Sequence, residues 1–290
     1  MLAARRKVLK MLHESKLTVD EAEDLLDTIE KPQKSHSPTI PKPEYIGDSE
    51  WAQQFRKILD KMAATEAPVL VQGEPGTGKG IVARAIHYNS KRVNGPFTIL
   101  SCDPSAPTID SELFGHEEGA FTGAIRPKKG LLDVSNGGTL VLGPLEDFPL
   151  ETQHRLLSFL ESGHYTRIGG TKPLYADVRI IGLTEQDLKQ RIDQGKFRSD
   201  LFYRLSVCMV QVAPLREHRE DIPVLTAYFV ANQAEKDTRE RPKVSPEVAK
   251  ILYEYDWPNN VRELWHVISK AVVLCDGDEI TPEQLPALGL

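Results

Sequence analysis

A chain of 290 residues is long enough for one large α/β domain with smaller helical additions. With 27% charged and 40% hydrophobic residues it has an ordinary globular composition, and a net charge of -6 argues against a dominant nonspecific nucleic-acid binder while leaving room for a local basic patch. Cys102, Cys208 and Cys275 lie far apart with no C-x-x-C spacing. They read as small buried residues of a reducing compartment rather than as metal ligands, and no metal site is expected. No apolar run approaches a membrane span. Met1 to Leu12 carries basic residues without the apolar core of a signal peptide, so a cytoplasmic chain is expected.

In chain order, residues 1–31 predict a short helical hairpin. Val8, Leu9 and Leu12 share one helical face, Thr18 and Glu21 form a capping-box pattern, and Ala22, Leu25, Leu26 and Ile29 recur at helical spacing after a turn at Ser15 to Leu17. The K-L-T-x-D-E-A-E-x-L-L run resembles helical-hairpin modules at the ends of various bacterial proteins. It suits a packing or dimerising pair, with ligand or DNA binding as the alternative. Residues 32–44, with Pro32, Pro38, Pro41 and Pro43, predict a linker. Residues 45–215 then alternate apolar strand-like runs (Val69 to Val71, Leu140 to Leu142, Val178 to Leu183) with helical segments such as Lys79 to Tyr88. This pattern predicts a parallel sheet covered by helices on both faces. From Arg216 strand-type runs stop, and residues 216–290 predict a helical subdomain.

Gly73-Glu74-Pro75-Gly76-Thr77-Gly78-Lys79 fits the G-x-x-x-x-G-K core of a P-loop, with an apolar strand before it and a helix after it. Its glycines let successive N–H groups face phosphate oxygens, Lys79 supplies a point charge, and the helix N-terminus adds its dipole. The motif departs at Gly80, where a Ser or Thr magnesium ligand usually stands, so Mg2+ is expected to be held differently or loosely.

Ser111-Glu112-Leu113-Phe114-Gly115-His116-Glu117, followed by Gly119-Ala120-Phe121-Thr122-Gly123-Ala124, resembles the signature of sigma-54-dependent transcription activators, the bacterial enhancer-binding proteins. The resemblance extends over residues 45 to 288 and implies an AAA+ P-loop NTPase fold with a helical lid. It also implies ATP as cofactor, a homo- or hetero-oligomeric ring, and sigma-54 RNA polymerase as partner. The GAFTGA run, Gly119 to Ala124, is the loop that contacts sigma-54 in that family, with Phe121 and Thr122 as its contacting residues. Tyr45-Ile46-Gly47 resembles the segment beside the adenine, and Phe197 to Leu205 resembles the one bearing the arginine fingers. By that likeness Arg198 and Arg204 reach a neighbouring subunit's γ-phosphate, while Arg262, in Trp257 to Leu264, senses nucleotide from the lid.

The departures shape the functional expectation. The family's Leu-Asp-Glu strand end reads Leu142-Gly143-Pro144, which can neither hold a hard cation nor activate water. Glu146 and Asp147 are close in sequence but are not expected to substitute. The family's Thr-Asn of sensor I reads Thr184-Glu185, and the Glu185 side chain is expected to be solvated or relocated. The leading expectation is an ATP-binding, sigma-54-interacting regulator impaired in hydrolysis. The alternatives are an active ATPase that remodels the sigma-54 polymerase closed complex, and an AAA+-fold adaptor binding neither nucleotide nor sigma-54. No basic recognition helix follows the lid segment within this sequence, so specific DNA contact is expected from a partner, from a segment beyond this sequence, or not at all.

Overall fold

The computed structural model describes residues 45–102 and 109–285; the hairpin expected over 1–31 and the linker over 32–44 lie outside the described residues. Five parallel strands, β1 (Val69–Gln72), β2 (Phe97–Ser101), β3 (Thr139–Gly143), β4 (Arg179–Thr184) and β5 (Cys208–Gln211), form a sheet in the order β2-β3-β4-β1-β5. The register sets Leu142 beside Gly182 and Gln72 beside Thr184, which brings the carboxyl ends of β1, β3 and β4 to one edge.

All five residues of β3 are buried, and the strand period of two sends its side chains to opposite faces. Leu140 and Leu142 join Leu70, Phe114, Leu156 and Phe202 in one core. Val141 joins Val69, Val71, Ile181, Val82, Ile86, Phe55 and Leu59 in the other. Burial of each such side chain is worth about 1.5–3 kcal/mol, so the sheet is secured from both faces. Helix α1 (Glu50–Ala64) is N-capped by Ser49, whose side chain accepts from Ala52 N, and buries Ala52, Phe55, Leu59 and Ala63 at helical spacing. Its C-terminal carbonyls of Met62 and Ala63 accept from Arg179, a guanidinium only 2% exposed, and this cation at the helix end pins α1 to β4. Helix α2 (Lys79–Tyr88) starts directly from the loop after β1.

Between β2 and β3 come α3 (Ile109–Phe114), an antiparallel ribbon of Gly115–His116 with Lys128–Lys129, and α4 (Leu131–Val134). Helix α5 (Leu150–Ser162) follows β3, while α6 (Leu188–Asp193) and α7 (Ser199–Leu205) follow β4. The lid contains α8 (Ile222–Lys236), α9 (Pro246–Glu254) and α10 (Asn260–Leu274) around a core centred on Trp257, which is fully buried and donates from Nε1 to Leu252 O.

Two details go beyond what the apolar runs predict. Apolar runs alone gave three sheet strands, whereas β2 and β5 are also present; these edge strands bury mainly Leu100 and Val210 and so lack a continuous apolar run. Strand pairing also does not stop at Arg216: Lys243–Val244 pairs in parallel with Glu279–Ile280 inside the lid.

Candidate functional site

The loop after β1 turns tightly because Gly76 (φ 77°) and Gly78 (φ 93°) adopt the left-handed conformation that favours glycine. Gly73 N donates to Thr184 O, which anchors the loop to the end of β4. The Thr77 hydroxyl, almost wholly buried, donates to Glu74 O. Lys79 is 8% exposed, and its ammonium donates to Gly73 O (2.9 Å), Glu74 O (2.9 Å) and Glu185 Oε1 (3.1 Å). Burial pulls its pKa down, opposed by the hydrogen bond and charge of Glu185.

The lid closes against this loop. Arg262 N donates to Gly76 O, and a side chain at Gly76 would strike Asn259 O. Asn260 is fully buried at the start of α10; its Nδ2 donates to Pro75 O (3.0 Å) and Glu74 Oε2 (3.2 Å), and its Oδ1 accepts from Leu215 N. Arg216 forms two hydrogen bonds to Glu74 (2.8 and 2.6 Å), and the guanidinium lowers the Glu74 carboxyl pKa to about 2. The segment bearing Ile46 and Gly47 is fixed nearby by Asp221, which is wholly buried and accepts from Asp48 N, Ser49 N and Ser49 Oγ and pairs with His218 Nδ1. Gly47 abuts Ala52 and Asp221, and Ile46 packs on the lid core.

A cavity of about 490 Å³ opens beside the loop. It is walled by Gly76, Gly78, Lys79 and Gly80, by Gly143, Pro144 and Glu185 at the strand ends, and by Arg262 and Trp265 of the lid. Ile46, Gly47, Gly73, Glu74, Pro75 and Thr77 are not among its walls; the last four belong to the loop itself, and Ile46 and Gly47 pack against the lid core and Asp221. An added Cβ at Gly80 would meet nothing within 4 Å, so the cavity floor is open there. At Gly143 an added Cβ would lie 2.7 Å from Leu183 Cβ and 2.9 Å from Leu183 O, so β3 and β4 approach more closely than a side chain admits.

The expectation of a solvated or relocated Glu185 is corrected. Its side chain is 38% exposed but ion-paired to Lys79, and its backbone N–H donates to Glu146 Oε1 (2.8 Å). Glu146 itself is 7% exposed and its Oε2 has no hydrogen-bond partner, whereas Asp147 is exposed. The donor chemistry suits a phosphate chain: turn N–H groups, an ammonium and a helix N-terminus. It does not suit a firmly held Mg2+. Positions 80, 143 and 144 carry no side-chain oxygen, and among the described residues no group of three or more His, Cys, Asp or Glu is placed to hold a metal.

Of the three arginines, only Arg262 lines the cavity. Arg198 is half exposed and forms two hydrogen bonds to Asp200, and Arg204 donates to Leu160 O. Gly119 to Ala124 forms a turn beyond the Gly115–His116 ribbon strand, closed by Gly119 N to Ala124 O (2.8 Å) and Ala124 N to Phe121 O (3.0 Å). Ala124 is buried and Ala120 sits against Gly169. Phe121, Thr122 and Gly123 are exposed, with Phe121 resting edge-on against His116 at 5.0 Å. The turn's base is tied to a second loop by Glu117 N to Ile168 O, Ile168 N to Gly115 O, and Arg167 paired with Glu117.

The Lys79–Glu185, Arg216–Glu74 and Asp221 contacts escaped sequence reasoning because they join residues far apart in the chain. The only local signal was an acid where the resemblance implies an amide.

A P-loop after the inner strand of a parallel β2-β3-β4-β1-β5 sheet, covered by a helical lid, defines the AAA+ class of P-loop NTPase fold. Residues 45–211 match the sigma-54 interaction domain and residues 216–288 the AAA+ ATPase lid domain. The chain therefore belongs to the sigma-54 interaction domain family, whose members include sigma-54-dependent activators. It is 43% identical over 239 residues to the transcriptional regulator NtrC of Rhizobium meliloti, covering 82% of this chain and 49% of that protein. It is 44% identical over 231 residues to the regulatory protein AtoC of Escherichia coli, covering 79% and 50%. The crystal structure of NtrX from Brucella abortus in complex with ATP superposes with a TM-score of 0.77 at 37% identity, covering 84% of this chain and 54% of that one. The chain thus spans about half the length of the curated relatives it matches.

Proposed function

We propose that this chain is a transcription regulator that binds ATP on the Gly73–Gly80 loop, hydrolyses it poorly, and presents Gly119 to Ala124 to sigma-54 of RNA polymerase. The observation that carries this reading is the junction of a phosphate loop that keeps its glycines and Lys79 with a strand tip, Gly143-Pro144, that has no side chain able to polarise water. A Brucella abortus relative crystallised with ATP and with ADP supports nucleotide binding. Turn amides and Lys79 grip the phosphates, Ile46 and Gly47 form the adenine side, and Arg262 reads the nucleotide from the lid. Mg2+ is held weakly, because Gly80 offers no hydroxyl. Exposed Phe121 and Thr122 supply the apolar and hydroxyl contacts to sigma-54.

Arg198, in an exposed pair with Asp200, and Arg204 act in trans within a homo- or hetero-oligomeric ring, completing a neighbour's site even where this chain's own chemistry is absent. ATP binding and hydrolysis measured on one preparation test the reading, alongside a sigma-54 pull-down comparing Thr122→Ala. Binding without appreciable turnover, and capture lost in the variant, are the expected results. Turnover equal to that of a relative with both strand-end acids, or capture indifferent to Thr122, would defeat it.

A further inference from the structure

We infer that Glu185 makes the phosphate loop a nucleoside-diphosphate site: its carboxylate competes with a terminal phosphate for Lys79, so the chain holds ADP in preference to ATP. This rests on the reading of Gly73–Gly80 as a nucleotide site and adds which nucleotide it retains.

A lysine ammonium has three hydrogens to donate. Those of Lys79 meet three acceptors, Gly73 O, Glu74 O and Glu185 Oε1. The two carbonyls belong to the loop whose shape makes the cradle, so the displaceable partner is Glu185. A P-loop lysine reaches the β- and γ-phosphates, and the oxygen 3.1 Å from Nζ stands where a phosphate oxygen would bond. A γ-phosphate must therefore evict a carboxylate and then sit beside it. Glu185 is also backed by a second acid, since Glu146 Oε1 accepts from Glu185 N while Glu146 Oε2 is buried without a partner.

Like charges in a partly buried site repel strongly unless a cation lies between them. The groups that would hold such a cation are missing at Gly80, Gly143 and Pro144, and Arg262 is the other positive side chain on the cavity wall. Without a γ-phosphate the conflict is smaller: turn amides and the α2 N-terminus hold the β-phosphate from the loop side, and one phosphate rather than two meets the Glu185–Lys79 pair.

Calorimetric titration of the full chain with ADP and with the non-hydrolysable β,γ-imido analogue of ATP, in EDTA and again in Mg2+, tests this. The expected result in both buffers is ADP bound about tenfold or more tighter than the triphosphate. Glu185→Gln, which keeps the size and removes the charge, should raise triphosphate affinity about tenfold and ADP affinity by no more than about threefold, so that the ratio between them narrows. Triphosphate bound as tightly as ADP by the wild type in either buffer overturns the inference, as does a ratio unchanged in Glu185→Gln; a purely structural role would lower both affinities together. If neither nucleotide binds the wild type and Lys79→Ala behaves the same, the nucleotide reading itself falls, an outcome distinct from equal binding of both.

Discussion

The loop after β1 and the tips of β3 and β4 face the same cavity from adjacent strands, yet they differ in chemical equipment. The loop grips with backbone amides, a buried lysine and a helix N-terminus, and it is braced by Asn260 and Arg216 of the lid. At the strand tips, β3 ends in a glycine and a proline, and β4 delivers an acid that turns onto the lysine. On the proposed reading, gripping a phosphate chain and reacting it are separable properties: the first rests largely on backbone shape, the second on the few side chains that stand at the strand tips.

The largest effect expected from breaking this contrast is at the tips. Pro144→Glu, which supplies a base without placing a side chain at 143, should raise turnover by about 10²-fold, read in a steady-state phosphate-release assay. An unchanged rate would mean that chemistry here runs on other groups. Because a side chain at 143 meets Leu183, Gly143→Ala alone should lower unfolding stability by about 1–3 kcal/mol in a urea titration. On the gripping side, Lys79→Ala should weaken binding of the triphosphate analogue by about tenfold or more in the same calorimeter, given the worth of a charge-assisted contact.

Asp221→Ala strips a buried carboxylate from two backbone amides, a hydroxyl and His218. It should destabilise the chain by about 3 kcal/mol, and a loss under 1 kcal/mol would show the leading segment is held by packing alone. The smallest effect concerns Glu74. Its folded pKa of about 2 lies below the ordinary 4.5, so the stability it contributes is present above pH 4.5 and is lost as pH falls towards 2. The pair is exposed and screened, so the contribution is below about 1 kcal/mol, and Arg216→Ala should abolish it.

The inner strands and the cradle were legible because their signals are local: apolar runs at 69–71, 140–142 and 178–183, and a glycine-lysine spacing that any P-loop needs. The edge strands were not, since Phe97–Ser101 and Cys208–Gln211 each bury little and mix polar with apolar residues. The likeness of Gly119 to Ala124 to a family loop gave its place in the chain, while its exposed tip and the bracing by Arg167 depend on how distant loops pack. Glu185 shows the limit most plainly. In the sequence it stands only as an acid out of place; its pairing spans 106 positions and follows from sheet order, which sets β4 beside β1.

Asn260 carries a mechanical consequence. One side-chain amide holds the cradle through Pro75 and Glu74 and the entry to the lid through Leu215. Cradle and lid entry are therefore fastened by a single buried rivet, and losing that one amide would loosen both ends together.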